Sequence, residues 1–260
     1  MSIVFCFSGQ LDMAVYAIFA GAVFDFADGF LARKLKLESE TGKQLDSLAD
    51  LITFGVAPGF LMFFMILIGI EQPNLIEHFN RKSAHVNYEN YYIFNQLIHW
   101  VQAFYFDFQN NYNASIKWLP FFAFLIPFFS LFRLAAFNVD KKQTKNFRGI
   151  PTPLSALIVC FFPLYFQKNM MEWNHQNEFV QLIFDCYTLS GICFILSILL
   201  VSNLPLMSMK LDGTNKKENI LRIIVILSGL ITIPLWGVLA IPIILTLYFI
   251  VSTYHHYTKI

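Results

Sequence analysis

The sequence predicts an all-α polytopic membrane bundle of about seven transmembrane helices, preceded by a short N-terminal stub. Three observations carry that expectation. Of 260 residues, 57% are hydrophobic and 30 are Phe, and the mean hydropathy is +0.55. Charged residues make up only 13%, against about 25% in a soluble domain. The apolar residues also fall in runs near the ~20 that a helix needs to cross a hydrocarbon core. A net charge of +1 gives no bulk attraction to nucleic acid. No soluble boundary is visible, so residues 1–260 read as a single membrane domain.

Met1 to Gly9 is a short apolar stub, too short to span and without the basic start and cleavage site of a signal peptide. The first span is expected over 11–31. A polar connector follows from Arg33 to Gly42. Thr41 and Gln44 have capping-box spacing and predict a helix start there, running to about Ile70. Residues 71–117 break the pattern and read as a non-cytoplasmic loop insertion. Within it, Trp100, Phe104, Tyr105, Phe106 and Phe108 suggest a segment at headgroup level. Further spans are expected over 118–137, 150–167, 179–205, 220–234 and 236–254. The last two are separated by a turn at Pro234 to Gly237. Cys6, Cys160, Cys186 and Cys193 lie in apolar runs without metal-binding spacing and read as small buried hydrophobes.

Orientation follows from basic residues. The connectors 33–43, 138–149 and 206–219, with Arg133, Arg222 and Lys259, hold 14 of the 18 Lys and Arg. Those connectors and the C-terminus are therefore expected in the cytoplasm.

The stretch from Asp25 to Asp50 stands out from the apolar runs around it. Asp25 and Asp28 are three apart and Asp46 and Asp50 four apart, so each pair shares a helical face. Ionisable groups at membrane depth are costly and point to function. Four carboxylates converging between two helices repel one another unless they are protonated or bind a cation. Hard cations such as Mg2+ or Mn2+ favour such oxygen ligands.

Asp28, Gly29, Ala32, Arg33, Gly42, Asp46 and Asp50 occupy the fixed positions of a motif, with Asp25 three residues upstream. On these residues the chain resembles the CDP-alcohol phosphotransferase family, whose members transfer a substituted phosphoryl group from a CDP-linked donor to an alcohol and release CMP. The resemblance implies a site for two divalent cations, Mg2+ or Mn2+, at Asp25, Asp28, Asp46 and Asp50. It also implies that Asp50 acts as general base. Gly29, Ala32 and Gly42 fit a close approach of the nucleotide to the backbone, although small-residue helix packing fits them too. Arg33 could pair a donor phosphate or snorkel to the cytoplasmic surface.

A second region narrows the acceptor. Residues 132–138 read FRLAAFN and 147–153 read FRGIPTP. With Arg133, Phe137, Asn138, Gly149, Pro151, Thr152 and Pro153, they resemble the branch of the family that uses CDP-diacylglycerol as donor and L-serine as acceptor. Ala136 stands where many members carry a second Arg. Arg133 suits a carboxylate and Asn138 a hydrogen bond to the acceptor, while a snorkelling Arg and a helix-capping Asn explain them as well. The Pro-Thr-Pro run suits a helix start. In the family a full transmembrane helix precedes the first aspartates. Here Met1 to Gly9 stands in its place, which puts the N-terminus on the non-cytoplasmic face. The resemblance further implies a homodimer and a bacterial inner-membrane location, with the site facing the cytoplasm.

Two other readings remain open at this stage. A relative with glycerol phosphate or inositol phosphate as acceptor would use a basic cluster such as Lys141, Lys142, Lys145 and Arg148. A divalent-cation transporter would use the four aspartates as its path, but should place them near the bilayer midplane.

Overall fold

The structure is a computed structural model that describes residues 1–35, 39–70, 97–98, 100–102, 116–139, 146–170, 178–207 and 216–258. These residues form a helical bundle, as the composition predicts. Helix α1 is Ser2–Phe7, α2 is Leu11–Leu35 and α3 is Glu40–Leu51. Residues Ile52–Val56 form a π-helical turn that leads without a break into α4, Ala57–Ile70. A 3-10 segment, Ile116–Phe124, precedes α5, Leu125–Val139. Then come strand β1 (Asn146–Arg148), α6 (Thr152–Met170), α7 (Glu178–Ile183), α8 (Cys186–Val201) and strand β2 (Pro205–Met207). Helices α9 (Lys216–Trp236) and α10 (Ala240–Thr258) flank a short 3-10 turn, Gly237–Leu239.

Leu11–Ala32, Glu40–Ile70 and Ile116–Val139 are each long and apolar enough to cross a membrane. So is the 36-residue stretch Asn219–Tyr254, which as one straight rod would measure about 54 Å. It folds back instead. Gly237 takes a positive φ of 57°, and a Cβ at Gly229 would lie 3.5 Å from Ile244 Cδ1. The reversal therefore follows Pro234, within the turn expected there and slightly beyond it. Thr152–Gln167 and Cys186–Val201 are shorter apolar helices.

Helix α4 is the central rod. Leu61, Met62, Phe64, Met65 and Ile66 are fully buried, so the helix can be apolar on every side. It packs on α1, α2, the 3-10 segment, α5, α6 and α8. The N-terminal stub is thus part of the core. Cys6 is fully buried, and the Phe7 ring meets Phe64 edge-on with centroids 5.3 Å apart. Trp100 also turns inward, onto Phe63 at 5.4 Å, and its indole N–H donates to the Lys117 carbonyl at 3.1 Å. The other aromatic residues of that headgroup-level expectation, and most of 71–117, lie outside the described residues. All four cysteines are buried and free, as expected.

Three boundaries differ from the sequence reading. The N-cap of α3 lies two residues before the expected Thr41, because Ser39 takes that place and accepts from the Gly42 amide at 3.0 Å. The expected span 179–205 is broken at Phe184. Asp185 caps α8 by accepting from the amides of Tyr187 at 3.0 Å and Thr188 at 3.3 Å. The connectors 138–149 and 206–219 are not wholly irregular, since β1 and β2 pair antiparallel between them, with Phe147 opposite Leu206. The Pro-Thr-Pro run does open α6, where Leu154 and Ser155 donate to the Pro151 carbonyl.

The ribbon turns into α6 through Gly149, at φ 74°. A Cβ there would sit 2.6 Å from the Leu200 carbonyl oxygen and 2.9 Å from that of Ser202. Both the backbone conformation and the space exclude a side chain. Gly149→Ala should therefore lower stability by about 1–3 kcal/mol, read as a fall in thermal midpoint of the detergent-solubilised protein. An unchanged midpoint would show that this corner can relax.

Candidate phosphotransfer site

Four acids meet where the ends of α2 and α3 approach. Asp25, Asp28 and Asp46 each place one carboxylate oxygen within 4.8 Å of the others. Asp25 is half-buried, and Asp28 and Asp46 are exposed. Asp50, one turn below Asp46, is half-buried and lies beside the Asp25 carboxyl. It also interacts electrostatically with Asp46 and with Arg133 of α5. Asp50 is therefore the link between the acid cluster and the only basic residue that the sequence reading placed with the acceptor.

Local packing sets this arrangement. A Cβ at Gly21 would come within 2.7 Å of Thr53 Cγ2, so glycine allows α2 to press onto the π-helical turn. Gly21 is one turn before Asp25, and Thr53 follows Asp50 by three residues, so the contact holds the two acid-bearing helices together beside the acids. The π turn itself widens the helix immediately after Asp50; such turns recur at functional sites. On the other side, Ser47 and Asn138 join α3 to the end of α5. The Asn138 amide Nδ2 lies 2.9 Å from Ser47 Oγ, and Ser47 Oγ lies 3.2 Å from Asn138 Oδ1.

The energetics favour a bound cation. Two full charges about 5 Å apart repel by roughly 3 kcal/mol at an effective dielectric of ~20. Three carboxylate oxygens within 4.8 Å form a hard-oxygen donor set of the kind that Mg2+ and Mn2+ use. The residues present therefore fit a divalent cation.

Toward the bundle interior the site holds polar atoms that have no hydrogen-bond partner. Among the described residues these include Asp50 Oδ1, Ser130 Oγ and Arg133 Nε. A buried polar atom left unsatisfied costs about 1–3 kcal/mol. Three of them on facing elements mark a place built to receive something.

The other expected residues fall around this centre. Gly29 and Ala32 are half-buried on α2 after Asp28. Arg33 continues α2, but its side chain is outside what the structure describes. Gly42 is exposed in the first turn of α3, where its amide is taken by the Ser39 cap and a Cβ would lie 3.0 Å from Ser39 Oγ. Capping thus gives Gly42 a local reason that the sequence reading did not contain. Lys141, Lys142 and Lys145 lie outside the described residues. The sequence reading passed over Ser47 and Ser130. Ser130 is one turn before Arg133 in an apolar helix, and that spacing was the only signal it carried.

Residues 1–76 match the sequence model of the CDP-alcohol phosphatidyltransferase family. Among the proteins similar to this chain is a CDP-diacylglycerol–serine O-phosphatidyltransferase of Bacillus subtilis, 28% identical over 164 residues, covering 62% of this chain and 64% of that protein. A protein of the same name from Helicobacter pylori (strain J99) is 26% identical over 227 residues, 86% of this chain and 73% of that one. An archaetidylserine synthase of Methanothermobacter thermautotrophicus is 29% identical over 166 residues, 63% and 52% of the two chains. The chain thus spans just under two thirds of the length of the Bacillus protein.

The Ser47–Asn138 pair should be measurable without any substrate. A double-mutant cycle of Ser47→Ala and Asn138→Ala, followed by unfolding in detergent, should give a coupling of about 1 kcal/mol. Additive effects of the two substitutions would mean that the pair does not hold α3 to α5.

Proposed function

We propose that the chain transfers the phosphatidyl group of CDP-diacylglycerol to the hydroxyl of L-serine, giving phosphatidylserine and CMP. The observation that carries this reading is the position of Asp50, between the acid cluster and Arg133, with a buried carboxylate oxygen free to take a proton. The match of residues 1–76 to the family model and the names of the similar proteins support the same reaction.

In this mechanism Asp25, Asp28 and Asp46, with Asp50 as a further ligand, would hold two divalent cations, Mg2+ or Mn2+. When bound, such cations neutralise the pyrophosphate of the donor and the charge that develops on its leaving group. Gly29, Ala32, Arg33 and Gly42 line the approach of the CDP group. Arg133 takes the serine carboxylate, and Asn138 lies at the cytoplasmic end of the same helix as a second acceptor contact. Asp50 accepts the proton of the serine hydroxyl as its oxygen bonds to the lipid-linked phosphorus. The bond from that phosphorus to the bridging oxygen breaks, and CMP leaves with the electron pair.

The acids sit at one end of their helices, next to the basic connector that contains Lys34 and Lys43. This supports a site that faces the cytoplasm of a bacterial inner membrane, where serine and divalent cations are available. A homodimer and residues 71–117 as a non-cytoplasmic insertion complete the proposal.

Purified protein in detergent should release CMP from CDP-diacylglycerol only when L-serine and Mg2+ or Mn2+ are both present. Asp50→Asn should lower the turnover rate by roughly a hundredfold or more. Arg133→Lys should raise the KM for serine by about tenfold, because an ammonium cannot form the two-pronged contact of a guanidinium. Release driven by glycerol phosphate or inositol phosphate in place of serine would overturn the acceptor assignment. Serine-dependent release that survives in Asp50→Asn would overturn the base.

A further inference from the structure

Ser130 sits in the middle of an apolar helix and is fully buried. Hydroxyls in such helices usually donate back to a carbonyl three or four residues earlier. Three other buried helical serines in this bundle do so. Ser155 donates to Thr152 at 3.0 Å, Ser190 to Cys186 at 2.7 Å and Ser197 to Cys193 at 2.7 Å. Among the described residues Ser130 Oγ has no hydrogen-bond partner. It stands over the π-helical turn, where a Cβ built on Gly55 would be 3.1 Å from Ser130 Cβ and 3.4 Å from its Oγ. Glycine at 55 thus leaves open the space beside the hydroxyl.

The neighbours of this hydroxyl point to its ligand. Arg133 follows by three residues, so the two share one face of α5, and Arg133 Nε is likewise buried without a partner. Arg133 in turn interacts with Asp50, whose Oδ1 is the third unpartnered atom. Two donors on one helical face and an acceptor opposite them suit a small molecule with a carboxylate at one end and a hydroxyl at the other. The hydroxyl end must lie at Asp50, because that is where the proton leaves. The carboxylate end then falls to α5.

We infer that Ser130 is a further acceptor-binding residue, whose hydroxyl donates to the acceptor's carboxylate alongside the Arg133 guanidinium. This rests on the reading of the acceptor as an amino acid with a free carboxylate, and deepens it. The unpartnered hydroxyl is the cost of keeping that contact ready for the acceptor. A structural serine and an acceptor-binding serine then differ in sign. Removing a hydroxyl that serves the fold weakens the protein. Removing one that waits for a ligand leaves the empty protein as stable or more so.

The test compares wild type with Ser130→Ala and Ser130→Cys, the second preserving the shape while removing most of the hydrogen bond. Serine-dependent CMP release and thermal unfolding with and without L-serine are measured on each. The expected result is a rise of about tenfold in the KM for serine in both variants. The turnover rate and the KM for CDP-diacylglycerol should stay near wild type. The thermal midpoint without serine should be unchanged or higher, and the upward shift that L-serine gives wild type should shrink. A wild-type KM for serine in both variants would overturn the inference. So would a lowered midpoint with the KM of both substrates raised alike, which is the signature of a packing role. If wild type itself neither turns over nor is stabilised by serine, the amino-acid reading falls and this inference with it.

Discussion

Mutual repulsion among carboxylates is the constraint on which the rest of this structure depends. Asp25, Asp28 and Asp46 bring oxygens within 4.8 Å of one another, with Asp50 beside Asp25. A chain gains nothing in stability from such a cluster. It persists because packing on either side leaves the helices no other place. Gly21 lets α2 close onto Thr53, Ser47 ties α3 to Asn138, and the buried α4 anchors the continuous rod that carries Asp46 and Asp50. The packing of the fold offsets the repulsion among the acids, and a bound divalent cation would relieve part of it.

The same rod explains why the site has a wet side and a dry side. Asp28 and Asp46 are exposed, whereas Asp25 and Asp50 are half-buried. A charged nucleotide and a cation can approach the first pair from water. The second pair leads inward to Ser130 and Arg133, where polar atoms stand unpartnered against the π-helical turn. A small polar acceptor entering there would meet its contacts only after shedding water, which strengthens each of them.

Much of this was legible in the sequence, and the parts that were not have physical reasons. Helices of 20 or more apolar residues announce themselves by length, and the acids stand out because membranes make charge rare. The pairing of Asp25 with Asp28, and of Asp46 with Asp50, follows from helical spacing alone. The close approach of Gly21 to Thr53 does not, because glycine in an apolar run is equally at home facing lipid. The π turn depends on what α4 and α5 press against and leaves no local signature. The start of α3 was missed by two residues because Ser39 and Thr41 are both competent caps. Which of them serves is decided by where the chain leaves α2. The β1–β2 ribbon pairs residues as distant in sequence as Asn146 and Met207, so no local pattern could reveal it. Met1 to Gly9 was too short to span, yet it adds a helical turn to the core, since packing needs only a face and not a full crossing.

The central claim is that the acid cluster is a divalent-cation site serving the phosphotransfer chemistry, and direct cation binding tests it without relying on turnover. Mn2+ titrated into the purified protein, followed by electron paramagnetic resonance of the free ion, would count the sites and give their affinity. The account predicts saturable binding by wild type, weakened at least tenfold in Asp28→Asn and in Asp46→Asn, and displaced by Mg2+. Mn2+ binding that is unchanged in both variants, or no saturable binding by wild type in the presence of CDP-diacylglycerol, would contradict it.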